Sequence, residues 1–362
     1  MDWRAQLIET APLALAWGGL AIGVVFGFVV ERSNFCAMGA LSDIANFADY
    51  RRWRAWLLAS AVALLGTQSL AQAGVVDLAL SMYPGPRVNW LGHILGGLLF
   101  GIGMVFAGGC ASRNLVRLGS GDLRAALVLL VMGLFAYMTI GGLLGPLRAA
   151  LEGATAFALD DTMGSALPAL LIAASGVDDE LARWAVVTLI AAVVITYCLR
   201  DAAFRQAPAL IVGGTVVGVC VVAGWALSGL CYDEFADLPS APQSLTYVRP
   251  TADAVDYLER FTADRVPGFG VAAVFGVVLG AAVSATVRGR FRLIGFADSS
   301  DTLRNLAGAS LMGIGGVMAL GCTIGQSVTG VSTLALGSFI TAIAIVAGGR
   351  LGLVLLERWM TA

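Results

Sequence analysis

Six cysteines, Cys36, Cys110, Cys198, Cys220, Cys231 and Cys322, offer most of the chemistry in this chain. A cysteine can exchange disulfides, ligate a soft metal, or present a polarizable S–H donor, and its neighbours decide which. No two of these form a CxxC pair, so a redox motif or a structural zinc site has little support. The single histidine, His93, lies in an apolar run and reads as a packing residue, and no Met-x-x-Met or histidine cluster marks a soft-metal permease. Cys198 and Cys220 lie inside apolar runs and read as small hydrophobes. Cys36, Cys110, Cys231 and Cys322 fall instead at the ends of such runs, close to glycine. Two of them share their surroundings: "FGIGMVFAGGCASRNLV" (Phe100 to Val116) and "MGIGGVMALGCTIGQSV" (Met312 to Val328). Glycines there let another helix or a solute approach the backbone, but packing alone does not explain a repeated cysteine. A short helix starting just after each cysteine would aim free N–H groups and a positive dipole end at the same spot, which favours an anion. Thiols beside it would be soft donors to a sulfur-bearing anion.

The elements that hold these residues are membrane helices. Of the 362 residues 58% are hydrophobic and 13% charged, with a mean hydropathy of +0.85, so the chain is an all-α integral membrane protein. Nine apolar segments are long enough to span: about 11–30, 55–73, 90–108, 124–145, 183–199, 207–227, 268–287, 304–321 and 332–356. None has an Asp, Glu, Lys or Arg in its middle third, which argues against a buried proton relay. A path would be lined by the thiols, the backbone of Gly109 and Gly321, and Ser33, Asn34, Asn114, Thr323 and Gln326. The stretches after Cys36, Cys110 and Cys322 read as short or re-entrant helices, tolerable at membrane depth only where backbone faces protein or a wet cavity. Residues 230–266 form the main exterior loop, and its "ADAVDYLERF" reads as an amphipathic surface helix.

Internal repetition organises the whole, a single membrane domain over 1–362. Shifting the sequence by 212 superposes Gly101, Gly103, Gly109 and Cys110 on Gly313, Gly315, Gly321 and Cys322. A shift of 195 superposes Gly19, Gly23, Ser33 and Cys36 on Gly214, Gly218, Ser228 and Cys231. Residues 11–145 and 207–356 are thus two repeats joined by a connecting helix at 183–199. Four crossings plus one invert the second repeat, an architecture common in transporters. All 22 basic residues are arginines, and alternating crossings put fifteen on one side and seven, Arg4 among them, on the other. The positive-inside rule then sets the N-terminus outside and the C-terminus in the cytoplasm of a bacterial inner membrane. "MDWRAQLIET" lacks the features of a cleaved leader, so the first segment reads as a retained helix.

At "RSNFCAMGAL" (Arg32 to Leu41), "GIGMVFAGGCASRNLVRLGSGD" (Gly101 to Asp122) and "GIGGVMALGCTIGQSVTG" (Gly313 to Gly330), the sequence resembles the YeeE/YedE family of sulfur-transport membrane proteins. The resemblance implies an hourglass of inverted repeats that takes up thiosulfate along three cysteines by successive S–H hydrogen bonds. By motif these are Cys36, Cys110 and Cys322; Cys231 is placed only by the repeat alignment. It implies no enzyme activity, no cofactor or metal, and no nucleic-acid partner. Some relatives carry or partner a small cytoplasmic sulfur-carrier protein, and any such partner here would be a separate polypeptide. Arg113 and Arg117, just past Cys110, fit both electrostatic attraction of the dianion and simple positive-inside topology. A membrane thiol oxidoreductase, or a transporter of another sulfur or selenium compound, is the competing reading.

Overall fold

The computed structural model describes residues 7–158, 165–168, 178–234, 236, 240–263, 265–296 and 299–361. Arg4 and parts of the exterior stretch 230–266 therefore lie outside the described residues. The first half comprises α1 (Ala11–Ser33), α2 (Ala37–Phe47), α3 (Arg51–Gln72), α4 (Trp90–Phe106), α5 (Ala111–Gly119), α6 (Leu123–Ile140) and α7 (Gly145–Thr155). Then come α8 (Asp179–Arg200), the single turn α9 (Ala202–Arg205), α10 (Pro208–Leu230), α11 (Val248–Glu259), α12 (Phe269–Val287) and α13 (Ser299–Met318). A π-helical segment, Gly325–Gly330, and α14 (Leu336–Thr361) complete the order. A two-residue ladder pairs β1 (Arg87–Val88) with β2 (Phe157–Ala158).

Local chemistry sets the helix limits. Proline occupies the first turn of α1, α7 and α10, where its missing N–H has no helical partner to lose. Asn89 caps α4 by accepting the Gly92 N–H at 3.1 Å, and Asp122 caps α6 by accepting that of Arg124 at 3.2 Å. Each of the nine expected apolar segments is helical, with boundaries moved by a few residues. Among the described residues eight helical stretches are long and apolar enough to cross a membrane. The ninth, α13, falls short because its first two turns carry Asp301, Arg304 and Asn305.

The helices pack in a regular set of pairs: α1 on α12, α10 on α3, α4 between α13 and α14, and α6 on α13, with α8 added outside α3. Glycine makes several contacts backbone-to-backbone. A Cβ at Gly23 would strike the Ala273 carbonyl of α12, and one at Gly218 would lie 2.7 Å from the Ala59 carbonyl of α3. Where α4 crosses α13, a Cβ at Gly103 would come to 2.7 Å from the Gly308 oxygen, and one at Gly315 to 2.6 Å from the Gly96 oxygen. Trp225, Tyr247, Phe26, Phe100 and Phe269 fill the fully buried centre.

One expectation changes, and one place where the repeats are unequal comes into view. The helix read as "ADAVDYLERF" starts at Val248 and is more than a surface element, because Val248, Pro250, Thr251, Ala252 and Ala254 are buried while Leu258 and Glu259 stay exposed. No helix follows Cys231 directly. It is the C-cap residue of α10, and a connection running to Tyr247 intervenes before α11, against only Asn34 to Cys36 between α1 and α2.

Candidate functional site

Three cysteines stand at the head of a short helix, as their sequences suggested. Cys36 is the N-cap of α2, in extended conformation, and its Sγ accepts the Gly39 N–H at 3.3 Å. Cys322 precedes the short helix over 323–332, and its Sγ accepts the Gly325 N–H, again at 3.3 Å. Cys110 is the N-cap of α5, with its Sγ 3.3 Å from the Ser112 hydroxyl. An amide that donates to sulfur occupies a lone pair and leaves the S–H free to donate elsewhere. The Cys110 thiol interacts electrostatically with both the Cys36 and the Cys322 thiols. They are 7%, 2% and 0% exposed in chain order, so none opens directly to bulk solvent.

The backbone before Cys110 and Cys322 follows one course. Gly109 and Gly321 both have φ 158°, and Gly108 at φ 69° matches Leu320 at φ 58°. Gly109 N donates to Met104 O at 2.8 Å and Gly321 N to Gly316 O at 2.7 Å, the bond that closes a helix C-terminus in a Schellman turn. Four residues past each cysteine an amide folds back onto the turn: Asn114 Nδ2 donates to Gly109 O at 2.7 Å, and Gln326 Nε2 to Ala319 O at 2.6 Å. These amides hold the turn. The Gln326 Oε1 atom remains buried with no hydrogen-bond partner among the described residues.

Beyond Cys110, Arg113 donates to Asn34 Oδ1 at 3.1 Å, bridging α5 to the end of α1. With Glu31, Arg117, Arg290 and Arg292 they line a cavity of about 230 Å³. Arg117 is committed to structure: it donates to Ala107 O, Gly108 O, Asn114 Oδ1 and the Asp122 carboxylate. Burial opposes the charge of Asp122, but hydrogen bonds from Arg124 and Arg117 outweigh it and hold the carboxyl below its ordinary 3.8. Glu31 is spoken for by Arg288 at 3.4 Å and the Ser284 hydroxyl at 2.6 Å. Among the described residues Arg113, Arg290 and Arg292 have no carboxylate partner, so the cavity is electropositive.

On the Cys322 side the neighbours are ones the sequence reading missed. Thr246 Oγ1 is 4.0 Å from Cys322 Sγ, and the backbone N–H of the next residue, Tyr247, bears on the same sulfur electrostatically. The available signal was Pro250: a proline in a first helical turn would have moved the start of α11 upstream of "ADAVDYLERF". Cys231 is not brought to the other three; it lines a separate cavity of about 360 Å³ with Asp233, Ser240 and Gln243. Cys220 is buried, and Cys198 is buried with its S–H donated to Arg54 O at 3.3 Å. His93 is satisfied by the Thr341 hydroxyl at 2.7 Å, a packing role. All six thiols are free.

The profile of a protein family described as sulphur transport matches residues 32–351, a span that takes in all three helix-heading cysteines. The chain belongs to the sulphur-transport family, the YeeE/YedE proteins. Among curated members of this sulphur-transport family, the thiosulfate transporter TsuA of Spirochaeta thermophila is 30% identical over 345 residues, covering 92% of this chain and 97% of the relative. The protein of the same name from Escherichia coli K12 is 26% identical, covering 85% of each chain. The probable transporter YedE of Salmonella typhimurium is 34% identical over 108 residues, 29% of this chain and 25% of its own length. The chain is accordingly a multi-pass membrane protein of a sulfur-transporting family.

Proposed function

We propose that this chain takes up thiosulfate across a bacterial inner membrane, handing the ion along Cys322, Cys110 and Cys36. The observation that carries the reading is three buried thiols, each at the head of a short helix, with Cys110 in reach of the other two. The relatives named as thiosulfate transporters match across most of the chain and support the choice of ion. A thiol offers a soft S–H donor suited to a sulfur-bearing anion. Helix N-termini add partial positive charge without adding a fixed cation that would trap a dianion. A series of weak sites suits passage, because each must bind well enough to fill and loosely enough to empty.

The ion enters near Cys322 and leaves past Cys36 into the cavity of Arg113 and Asn34, where the positive charge of Arg113, Arg290 and Arg292 favours its arrival. In this reading the N-terminus is outside, the C-terminus cytoplasmic, and a separate cytoplasmic sulfur-carrier protein receives the sulfur. Two inverted repeats underlie the path. Their support is reciprocal packing: Gly103 abuts Gly308 as Gly315 abuts Gly96, each pair exchanged by the 212-residue shift. Gly109 and Gly321, Asn114 and Gln326 serve as matched turn supports. Cys231, in its own cavity, belongs to the outer approach.

The test is growth of an uptake-deficient bacterium on thiosulfate as sole sulfur source, with initial uptake rates. Wild type should restore growth, and Cys110→Ala and Cys322→Ala should each cut uptake by about tenfold or more, as expected for the loss of one hydrogen bond to a charged ligand. Mutants that both match wild type would overturn the relay. A wild type that fails to restore growth would overturn the substrate.

A further inference from the structure

Tyr247 is the one fully buried phenol beside the thiols whose hydroxyl has no hydrogen-bond partner among the described residues. Buried polar groups are almost always paired, so an unpaired donor in this position calls for an explanation. Its location supplies one. Tyr247 is the N-cap residue of α11, which packs on α12 and α6; Cys36 is the N-cap residue of α2, which packs on α3 and α14. Gly325 lacks the Cβ that would strike Thr246 Oγ1, so the Thr246–Tyr247 segment lies directly on the Cys322 turn. The ring is fixed against Phe26, with centroids 5.3 Å apart and planes at 43°. Its hydroxyl is within electrostatic range of the Cys322 and Cys220 thiols.

Resting on the thiosulfate reading above, we infer that Tyr247 is a substrate-contacting, specificity-determining residue: its O–H donates to the oxyanion end of thiosulfate while the Cys322 thiol meets the terminal sulfur. The two ends of the ion differ in kind. Three oxygens are hard acceptors suited to a phenol O–H, and the outer sulfur is a soft acceptor suited to S–H. A phenol and a thiol side by side therefore read both ends at once. A sulfate ion offers only the first end and a hydrosulfide only the second, so each would satisfy half of the pair. Neither step transfers a proton or makes a bond, since an ordinary phenol titrates near 10 and stays neutral. The ring's fit against Phe26 also serves the core, which is why the variant must remove the hydroxyl alone.

The experiment compares wild type, Tyr247→Phe and Cys322→Ala for initial uptake of radiolabelled thiosulfate, with sulfate as competitor and with the melting temperature of each purified protein. Tyr247→Phe should melt with wild type, raise KM for thiosulfate about tenfold, and lose discrimination against sulfate. A Tyr247→Phe variant with wild-type KM and selectivity would overturn this inference while leaving the relay standing. A Tyr247→Phe variant with weakened uptake and a lowered melting temperature would also overturn it, assigning the hydroxyl to the core. Absence of uptake by wild type would instead remove the reading beneath it.

Discussion

Leu320 holds a left-handed backbone at φ 58°, the conformation that Gly108 holds at φ 69° in the matching turn. For an L-residue with a side chain that conformation costs about 1 kcal/mol, whereas glycine adopts it freely. The two positions should respond in opposite ways. Gly108→Ala should lower stability by about 1–2 kcal/mol, because it adds the strain and also sets a Cβ 2.9 Å from Arg117 Nη1. Leu320→Gly should leave stability within about 0.5 kcal/mol, relief of strain offsetting the lost half-buried side chain; thermal unfolding in detergent reads both. At this scale the spacing of glycine and cysteine singled out Cys36, Cys110, Cys231 and Cys322, and the family resemblance narrowed these to Cys36, Cys110 and Cys322. The turn before Cys110 and Cys322 was not legible, since leucine and glycine at Leu320 and Gly108 carry opposite local preferences. Tyr247 was equally hidden, because nothing local ties it to a cysteine 75 residues further on.

The same turn shows how elements are tied. Arg117 takes up the carbonyls just past the end of α4, Ala107 O and Gly108 O, and passes to Asp122 at the head of α6. Arg124 pairs with the same carboxylate and reaches Asp301 of α13 at 3.6 Å. The folded state depresses the Asp122 pKa, so its stabilisation is complete above the ordinary value of 3.8 and is lost as pH falls through the folded one. Asp122→Asn should therefore cost about 2 kcal/mol at pH 7, and the gap in melting temperature from wild type should start closing below pH 3.8. A gap that persists in strong acid would mean the cap, not the charge, matters. Sequence reading weighed Arg117 only as an attractor or a topology marker, because pairing across a hairpin turn depends on the left-handed Gly121. The short helices after three cysteines were legible from their mixed apolar spacing. The start of α11 was not, since the connection from Cys231 to Tyr247 broke the register of the repeat.

For the whole molecule, apolar run lengths made the all-α membrane class legible, and eight helical stretches among the described residues are long and apolar enough to cross; which glycines meet across α4 and α13 was not legible, because a repeat equates positions without saying which of them touch. Orientation rests on arginine placement alone. Arg290 beside the Cys36 end and Glu259 at the end of α11 are both exposed, and they fall on opposite sides under that assignment. In intact cells a membrane-impermeant thiol reagent should label Glu259→Cys at once and Arg290→Cys only after permeabilisation, the native cysteines being buried. The opposite pattern would reverse the topology. One further consequence is mechanical. Where α4 crosses α13 the main chains touch at Gly96, Gly103, Gly308 and Gly315, with Leu99, Met312 and Met318 packed close beside them. A carrier that alternates by tilting its halves would have to pull these close-packed backbones apart. On the proposed path the ion changes partners while the scaffold stands still, so the waist behaves as a fixed conduit and not as a rocker.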